Sequence, residues 1–307
     1  MSVPPADLTD LAATIRLGEQ RLAAAGVASP RADAEVLAAH VLQCSRGELV
    51  AAMLRGDSLN SPQLSILTQL LDRRVARVPL QHLTGRAPFR RLELAVGPGV
   101  FVPRPETEVL VQAALDELAA RPGDQLVVDL CAGSAAIALA MADEAPQARV
   151  VALELDPAAL AWAARNVAAH ADARSGSVAG QRVELRKGDV AGAAEAGGVL
   201  SDLAGRVDVV VANPPYIPDE AVPLDPEVAV HDPALALFGG GADGMTVPAA
   251  VVATAGALLR PGGLLLMEHA DVQGGVTRAL VDETWHEVAT LPDLTGRDRV
   301  LRARRPS

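Results

Sequence analysis

The sequence has 307 residues and a formal net charge of −11, which leaves room for two domains and a sizeable core. The negative charge argues against a protein that coats nucleic-acid duplexes, because neutralising phosphates requires a basic surface. Half of the residues are apolar but only six are Phe, Trp or Tyr, so the core must consist of Ala, Val and Leu.

The two cysteines and the hydropathy pattern narrow the class of protein further. Cys44 and Cys131 lie far apart in the sequence, which argues against a disulfide framework or a zinc site, and we expect no metal. The sequence opens with no signal-peptide pattern and contains no apolar run of transmembrane length. We therefore expect a cytoplasmic protein that does not interact with membranes.

Residues 1–80 are predicted to form a small N-terminal helical bundle. Apolar residues recur there at helical spacing, and Gly26 can end the first helix. Ser29-Pro30 and Ser61-Pro62 each have the pattern of an N-cap followed by the first helical residue. Because this module carries no catalytic group of residues, we expect it to bind a partner or to orient the rest of the chain.

Residues 81–104 are predicted to be a β-hairpin linker, since apolar residues alternate along 89–96. Prolines stiffen the segment that follows, and a helix should begin near Pro105 and run to about Ala120. Phe101, Arg104 and Glu106 could line a pocket next to this helix start. The same residues could equally be a helix cap with solvated charges.

From residue 105 to 307, strands and helices alternate, which predicts a mostly parallel α/β sheet of Rossmann-like type covered on both faces. The long Pro- and Asp-rich segment 217–248 is predicted to be a loop over one edge of the sheet, either a lid or a passive cover. Residues 171–181 have the composition of a surface insertion. The predicted strands are 125–130, 149–154, 182–187, 207–212 and 263–268, with later ones near 286–290 and 299–303.

Three strand ends carry residues suited to a nucleotide-like ligand. The first strand ends at Asp129-Leu130 and enters a turn of small residues, Cys131 to Ala138, that leads into a helix. The second strand ends about twenty residues later in Glu154, whose carboxylate could accept hydrogen bonds from both ribose hydroxyls. Asp189, after the third strand, could accept from an adenine amine. With Gly133 as its central glycine, the turn is a weak signal when taken alone.

The fourth strand, 207–212, ends abruptly in Asn213-Pro214-Pro215-Tyr216. The prolines fix φ and provide no N–H, so the Asn213 side-chain oxygen and the Pro214 carbonyl are two acceptors held close together. Such a pair suits a planar –NH2 group, and Tyr216 offers a flat face beside it. Holding both amide hydrogens leaves the out-of-plane electrons of the nitrogen aimed at an electrophile. The alternative is a plain stop between a strand and a loop.

The chain resembles the class I S-adenosylmethionine-dependent methyltransferases, and more closely the HemK/PrmC family of release factor glutamine methyltransferases. The similarity spans nearly the whole sequence. It rests on the segment from Asn213 to Pro218 and on the small-residue turn from Cys131 to Ala135. The further segments that carry it are Ser29–Glu35, Pro79–Gln81, Val102–Glu108, Asp225–Val228, Gly240–Gly244, Arg260–Gly263 and Gly296–Arg299.

The resemblance implies a seven-stranded methyltransferase domain whose methyl donor is S-adenosylmethionine. The implied catalytic residues are Asn213, Pro214 and Tyr216. The implied cofactor site comprises Asp129, Cys131, Ala132, Gly133, Ser134, Ala135, Glu154, Asp189, Val190 and Asn213. The implied substrate site comprises Phe101, Arg104, Glu106, Asn213, Pro214, Pro215 and Tyr216. The implied substrate is the glutamine in the Gly-Gly-Gln loop of class I release factors, recognised by the helical module, and the protein is expected to be a monomer that does not bind nucleic acid directly.

The sequence departs from the family pattern at the cofactor turn. Cys131 and Ala135 stand where the family usually has glycine, and alanine is poorly tolerated wherever φ is positive. Three other functions therefore remain open: methylation of glutamine in another translation protein, such as a ribosomal protein; amino-methylation of a nucleic-acid base; and non-catalytic cofactor binding. A basic groove would favour the nucleic-acid alternative, and the net charge counts against it.

Overall fold

The computed structural model describes residues 9–172, 177–223 and 225–306. Residues 173–176 of the predicted surface insertion lie outside the described residues. The chain folds into two compact units. The first comprises the described residues up to Gly85 together with 225–231, and the second comprises the rest. No helix among the described residues is long and apolar enough to cross a membrane. That residues 1–80, 81–104 and 105–307 are separate domains stays a prediction.

The first unit is helical, as predicted. Ser29 is the N-cap of the second helix and Pro30 its first residue, as predicted, although the Ser29 side chain makes no capping hydrogen bond. The prediction for the fourth helix was one residue off, because Asn60 and not Ser61 is its N-cap. The third helix, capped by a reciprocal Ser45 and Glu48 box, was not predicted. The elements are β1 (Thr9–Asp10), α1 (Leu11–Ala24), α2 (Pro30–Leu42), α3 (Arg46–Arg55), β2 (Ser58–Leu59), α4 (Ser61–Val75), α5 (Leu80–Thr84) and α9 (Pro226–His231).

A buried ion cluster joins distant parts of the sequence within this first unit. Arg74 donates from Nε to Asp33 Oδ2 at 2.7 Å and from Nη1 to Glu227 Oε1 at 2.7 Å. Arg77 donates from Nε to Glu227 Oε1 at 2.8 Å. Arg74, Asp33 and Glu227 are all buried. The segment 225–231 is thus held within the helical unit by charge-assisted hydrogen bonds.

The second unit begins with the predicted hairpin. Phe89, Leu92 and Leu94 are buried on one face of it, which explains the alternating pattern in the sequence. A 3₁₀ turn at Pro105–Thr107 then leads into the predicted helix. The elements up to the first sheet strand are β3 (Arg86–Phe89), β4 (Leu92–Ala95) and α6 (Glu108–Ala119).

Among the described residues, the sheet of the second unit has seven strands in the order β10-β11-β9-β8-β5-β6-β7. Strands β9, β8, β5, β6 and β7 are parallel, and β11 pairs antiparallel with both β9 and β10. The predicted Rossmann-like α/β fold is therefore confirmed. The strands are β5 (Gln125–Leu130), β6 (Ala148–Glu154), β7 (Val183–Lys187), β8 (Val207–Ala212), β9 (Leu259–Glu268), β10 (His286–Pro292) and β11 (Asp298–Arg304).

The central strands are mostly apolar because both faces of the sheet are covered. Val127 and Val209 belong to the apolar cluster on one face, and Val128 and Val210 belong to the cluster on the other. Segment 217–248, predicted as a loop, contains two short helices, α9 and α10 (Ala234–Leu237), and ends in the first residues of α11 (Thr246–Leu258). The remaining helices are α7 (Ala136–Glu144), α8 (Pro157–Ala169) and α12 (Gly274–Arg278).

Candidate active site

The candidate site lies at the carboxyl-terminal edge of the parallel strands. β5 pairs with β6 on one side and with β8 on the other, so the chain changes its direction of progress across the sheet at β5. Leu130, at the end of β5, is in register with Leu153 and Ala212. The loops after these three strands therefore leave the sheet at adjacent points, where open α/β sheets bind their ligands.

The turn after β5 uses left-handed backbone at three positions. The φ angle is 64° at Cys131, 57° at Gly133 and 63° at Ala135. Ala135 is also fully buried, and its carbonyl accepts the first hydrogen bond of α7, from Leu139 N. A non-glycine residue in this conformation costs roughly 1–3 kcal/mol. The turn thus follows a path that favours glycine, although two of these positions carry a Cβ atom.

Asp129 is a buried acid at the end of β5. Its Oδ2 accepts a hydrogen bond from the backbone N–H of Ala138 at 3.1 Å. Its Oδ1 has no hydrogen-bond partner within the described residues. Burial raises the pKa of Asp129 to about 8. Because an unsatisfied buried acceptor is costly, a donor or cation on a ligand would stabilise this group.

Glu154, at the end of β6, supports the turn from the neighbouring strand. Its Oε2 accepts from the Gly133 N–H at 2.7 Å, and its Oε1 accepts from the Asp156 N–H at 2.8 Å. Burial raises the pKa of Glu154. Each oxygen keeps a further lone pair, so the carboxylate can still accept from a pair of ligand hydroxyls.

Asp189 and Val190 follow β7 and differ in burial. Asp189 is exposed, and its Oδ1 accepts from the Ala191 N–H at 2.9 Å. Val190 is buried, and its carbonyl accepts the Thr254 hydroxyl at 2.7 Å. The sheet edge thus carries acids at the ends of three adjacent strands, which is electrostatically suited to a ligand with positive charge.

The segment from Asn213 to Tyr216 follows β8 directly. We refer to these four residues as the corner. Asn213 is half-buried, and its Nδ2 donates to the Thr107 hydroxyl oxygen at 3.3 Å. Pro214 is buried. Burial raises the pKa of the Tyr216 phenol, so that side chain is neutral at physiological pH. The corner therefore combines a fixed amide, a proline carbonyl and an uncharged ring.

Glycines of the 239–244 segment pack against the backbone of this corner. A Cβ built on Gly239 would lie 2.6 Å from the Pro215 carbonyl oxygen, and one built on Gly244 would overlap the Tyr216 carbonyl oxygen. Gln273 Nε2 donates to the same Tyr216 oxygen at 2.8 Å. The corner is thus supported from behind by backbone that can approach only because those residues lack side chains.

Phe101 and Arg104 contact each other, whereas Glu106 is exposed. The Arg104 guanidinium lies 5.1 Å from the centre of the Phe101 ring, and its Nη2 donates to Asp232 Oδ2 at 3.0 Å. Because the Asp232 side chain is fully buried, Arg104 is anchored and is not a freely solvated charge. The predicted role of these residues as a pocket wall stays a prediction.

This sheet order, with one antiparallel strand beside the sheet edge and acids after successive parallel strands, defines the class I S-adenosylmethionine-dependent methyltransferases. Residues 13–85 match the model of the PrmC N-terminal domain, and residues 92–229 match that of the methyltransferase small domain. The chain belongs to the family of release factor glutamine methyltransferases. It is a methyltransferase, as predicted, and S-adenosylmethionine is its methyl donor.

Three full-length relatives, each named release factor glutamine methyltransferase, support this assignment. The protein of Streptomyces coelicolor is 46% identical, with 96% of this chain and 98% of the relative covered. The protein of Mycolicibacterium smegmatis is 46% identical, with 97% and 99% covered. The protein of Mycobacterium tuberculosis H37Rv is 46% identical, with 95% and 90% covered. The similarity therefore extends over both units.

The residues present at the sheet edge fit this cofactor. The cation centred on its sulfur and its amino group would face acids, among them Asp129 with its unpartnered Oδ1. Glu154 is positioned by two backbone N–H groups and retains lone pairs for ribose hydroxyls. The individual cofactor and substrate contacts stay predictions.

Two side chains in the site were not singled out from the sequence. Thr107, the partner of Asn213, lies within the Val102–Glu108 segment that carries the resemblance. Glu268 ends β9 and is buried. The carboxylate at a predicted strand end was the available signal for Glu268, while the pairing of Thr107 with Asn213 bridges 106 residues and has no local signature.

Proposed function

We propose that this enzyme transfers a methyl group to the side-chain amide nitrogen, N5, of the glutamine in the Gly-Gly-Gln motif of class I release factors. The names of its relatives support a release factor glutamine as the target. The observation that carries the proposal is the Asn213-Pro214-Pro215-Tyr216 segment at the end of β8, where Asn213 Nδ2 donates to Thr107 and the Asn213 Oδ1 and the Pro214 carbonyl would be left to accept from a primary amide. A primary amide has two coplanar hydrogens, one for each acceptor.

The chain contributes orientation and electrostatics to this transfer. S-adenosylmethionine supplies a methyl group bonded to a sulfonium. Asn213 Oδ1 and the Pro214 carbonyl would each accept one amide hydrogen, which fixes the plane of the glutamine amide and directs its nitrogen electrons out of that plane. As the N–C bond forms and the C–S bond breaks, the nitrogen becomes more acidic and the same two acceptors stabilise the developing positive charge. Its proton then leaves to water, so the proposal includes no dedicated base.

The remaining parts of the molecule have proposed roles in binding. The helical unit would recognise the release factor, and Phe101, Arg104 and Glu106 would line the glutamine site. The cofactor would be held by Asp129, by Glu154 and by the turn that follows β5. A monomer acting in the cytoplasm without direct contact to nucleic acid completes the proposal.

Mass spectrometry tests the proposed reaction directly. The purified protein is incubated with S-adenosylmethionine and a class I release factor, and the peptide that contains Gly-Gly-Gln is examined for one added methyl group. Asn213→Ala removes one acceptor, so we expect turnover to fall by at least about 100-fold while cofactor affinity stays within about twofold.

The possible results separate the competing functions. Methylation of a ribosomal protein or of a nucleic-acid base, with none on the release factor, would assign a different substrate to the same site. An equal loss of turnover and cofactor affinity in Asn213→Ala would contradict the role of Asn213 in holding the substrate amide. Absence of cofactor binding in the wild-type protein would show that Cys131 and Ala135 disable the turn.

A further inference from the structure

The buried side-chain amide of Asn166, in α8, bonds to the backbone of two other elements. Asn166 Nδ2 donates to the Ala95 carbonyl at 3.0 Å and to the Ser134 carbonyl at 3.0 Å. Asn166 Oδ1 accepts from the Ala95 N–H at 2.7 Å. Asn166 is 1% exposed, so water does not compete for these bonds. Asn166 therefore joins β4 of the hairpin to the turn that follows β5.

The three backbone groups determine which way the Asn166 amide points. Both carbonyls accept and the Ala95 N–H donates, so the NH2 group must face the carbonyls and Oδ1 must face the N–H. Each hydrogen of the NH2 group then has one carbonyl. An apolar side chain at this position would leave all three groups unsatisfied, and a carboxylate would satisfy only the Ala95 N–H. The three groups therefore favour a side-chain amide.

The bond to Ser134 lies where the backbone of the turn is strained. Gly133 and Ala135, on either side of Ser134, have φ angles of 57° and 63°. Strained backbone persists only where the surrounding structure holds it. Two neighbouring elements hold this turn, because Glu154 accepts from the Gly133 N–H at 2.7 Å and Asn166 donates to the Ser134 carbonyl. Consecutive residues of the turn are thus anchored to β6 and to α8.

We propose that Asn166 is a positioning residue of the cofactor site, which holds the turn after β5 in the conformation that binds S-adenosylmethionine and orders it together with β4. The inference rests on the proposed placement of the cofactor against this turn, and it does not depend on which substrate is methylated. Without the bond from Asn166, the turn would spend part of its time in other conformations. The apparent affinity for the cofactor would fall in proportion to the population that is lost.

The same helix also fixes the chain that follows the hairpin. Trp162 lies four residues before Asn166 and so on the same face of α8. Its Nε1 donates to the Pro98 carbonyl at 3.2 Å, and a Cβ atom on Gly97 would lie 2.6 Å from its ring. One face of α8 therefore supports the hairpin, the chain that leads on to Phe101, and the turn after β5.

Asn166→Asp tests the proposal with little change in shape. An ionised aspartate has no hydrogen to donate, and a protonated one has a single hydrogen for two carbonyls. We expect calorimetry to give a Kd for S-adenosylmethionine at least about 10-fold higher than that of the wild type, because the turn is no longer held in its binding conformation. Urea unfolding of the same samples shows that the protein measured is folded.

Gln125→Glu is the matched control, because Gln125 is another buried amide that serves two backbone carbonyls. Gln125 is 4% exposed, and its Nε2 donates to the Leu118 carbonyl at 2.9 Å and to the Arg121 carbonyl at 2.8 Å. It begins β5, at the opposite end of that strand from the turn. Gln125→Glu should lower the urea midpoint as Asn166→Asp does, while the Kd for the cofactor stays within about twofold of the wild-type value.

Hydrogen exchange followed by mass spectrometry tests the link in the wild-type protein, without any substitution. S-adenosylmethionine should slow exchange in peptide 131–138, which contains the turn, at least about 3-fold. Through Asn166 it should also slow exchange in peptide 92–97, which contains the Ala95 N–H. In Asn166→Asp, saturated with the cofactor, only peptide 131–138 should respond.

Equal cofactor affinity in Asn166→Asp and the wild type would overturn the proposal. An equal loss of affinity in Gln125→Glu would do the same, because lower stability alone would then account for it. A wild-type response confined to peptide 131–138 would show that Asn166 does not order β4 with the turn. A response in neither peptide would show that the cofactor does not bind against the turn, which also overturns the proposal. Failure of the proposed function differs from all of these: cofactor affinity would be normal, and no release factor would be methylated.

Discussion

Ala135, in the turn after β5, has a backbone conformation that favours glycine. It has a φ of 63° and is fully buried at the start of α7. Changing it to glycine relieves roughly 1–2 kcal/mol of left-handed strain. The change also forfeits about 0.8 kcal/mol of buried methyl and adds roughly 0.5–1 kcal/mol of unfolded-state entropy. We therefore expect Ala135→Gly to change the free energy of unfolding by less than about 1 kcal/mol and to bind S-adenosylmethionine as tightly or more tightly, as calorimetry and urea unfolding would measure.

Ala136 provides a matched control one residue further along the chain. It is the first residue of α7, so its backbone is helical and has no left-handed strain to relieve. Ala136→Gly should therefore cost roughly 1–2 kcal/mol of stability, from helix propensity and from the loss of a buried methyl group. If Ala135→Gly were the more damaging of the two changes, the turn would depend on the Ala135 methyl group for packing, and our interpretation of its strain would be wrong.

The segment from Gly239 to Gly244 packs against the backbone of Pro215 and Tyr216. Its Gly239 N–H donates to the Ile217 carbonyl at 2.9 Å, and Gly244 leaves no room for a Cβ next to the Tyr216 carbonyl. Gly244→Ala should displace the backbone at Tyr216 and reduce kcat for methylation at least about 10-fold, because small misplacements of reacting groups are costly. Methylation kinetics, together with cofactor titration to show that the cofactor site persists, would measure this effect.

Gly262→Ala is a control that distinguishes steric overlap of the new Cβ atom from left-handed backbone strain. Gly262 has a φ of 71°, close to the 75° of Gly244, but a Cβ there would meet nothing within 4 Å. Gly262→Ala should thus lose roughly 1–2 kcal/mol of stability from left-handed strain and keep its kcat. Equal kcat in the two variants would show that the 239–244 segment does not position Tyr216.

Prediction of the elements from the sequence succeeded where the signal is local. The apolar run 207–212 and its proline stop gave both bounds of β8, because a strand covered on both faces needs continuous apolar residues. The cap of α4 was placed on Ser61 although Asn60 makes the capping box with Gln63, since both residues are good N-caps and periodicity does not distinguish adjacent positions. The helix α3 was missed although Ser45 and Glu48 have capping-box spacing.

At the scale of the whole molecule, one of the two units is built from two separate stretches of the sequence. Residues 225–231 belong to the helical unit although they follow the Asn213–Tyr216 segment of the other unit. The carboxylate of Glu227 meets Arg74 across 153 residues of sequence. Composition and periodicity carry no information about such a pairing. The sequence of Asp225–Val228 therefore showed a resemblance to the family, but it did not predict that this segment packs in the helical unit. The hydrogen bond from Asn213 Nδ2 to Thr107 Oγ1, which spans 106 residues of sequence, escaped prediction for the same reason.

Glu227 should make the helical unit sensitive to acid. Burial alone raises its pKa, but hydrogen bonds from Arg77 and Arg74 outweigh burial and hold the pKa of Glu227 well below its usual range. A carboxyl group with a lowered pKa stabilises the folded state above its unfolded pKa of about 4.5, and this stabilisation is lost as the pH falls through the lower folded value. Glu227→Gln removes the carboxylate that Arg74 and Arg77 share, while Arg74 keeps Asp33, and the change should cost up to about 3 kcal/mol at pH 7.

Urea unfolding followed by far-ultraviolet circular dichroism at several pH values would measure this cost. The difference in stability between wild type and Glu227→Gln should be largest at neutral pH and should shrink below about pH 4.5, because the unfolded wild-type chain then takes up a proton at Glu227 that the folded protein does not bind. Asp72→Asn is the control in the same unit: Asp72 forms an ion pair with Arg21 on the surface, and exposed pairs contribute only about 0–1 kcal/mol. A stability difference for Glu227→Gln that did not change with pH would mean that shape, and not charge, holds the segment 225–231 in the helical unit.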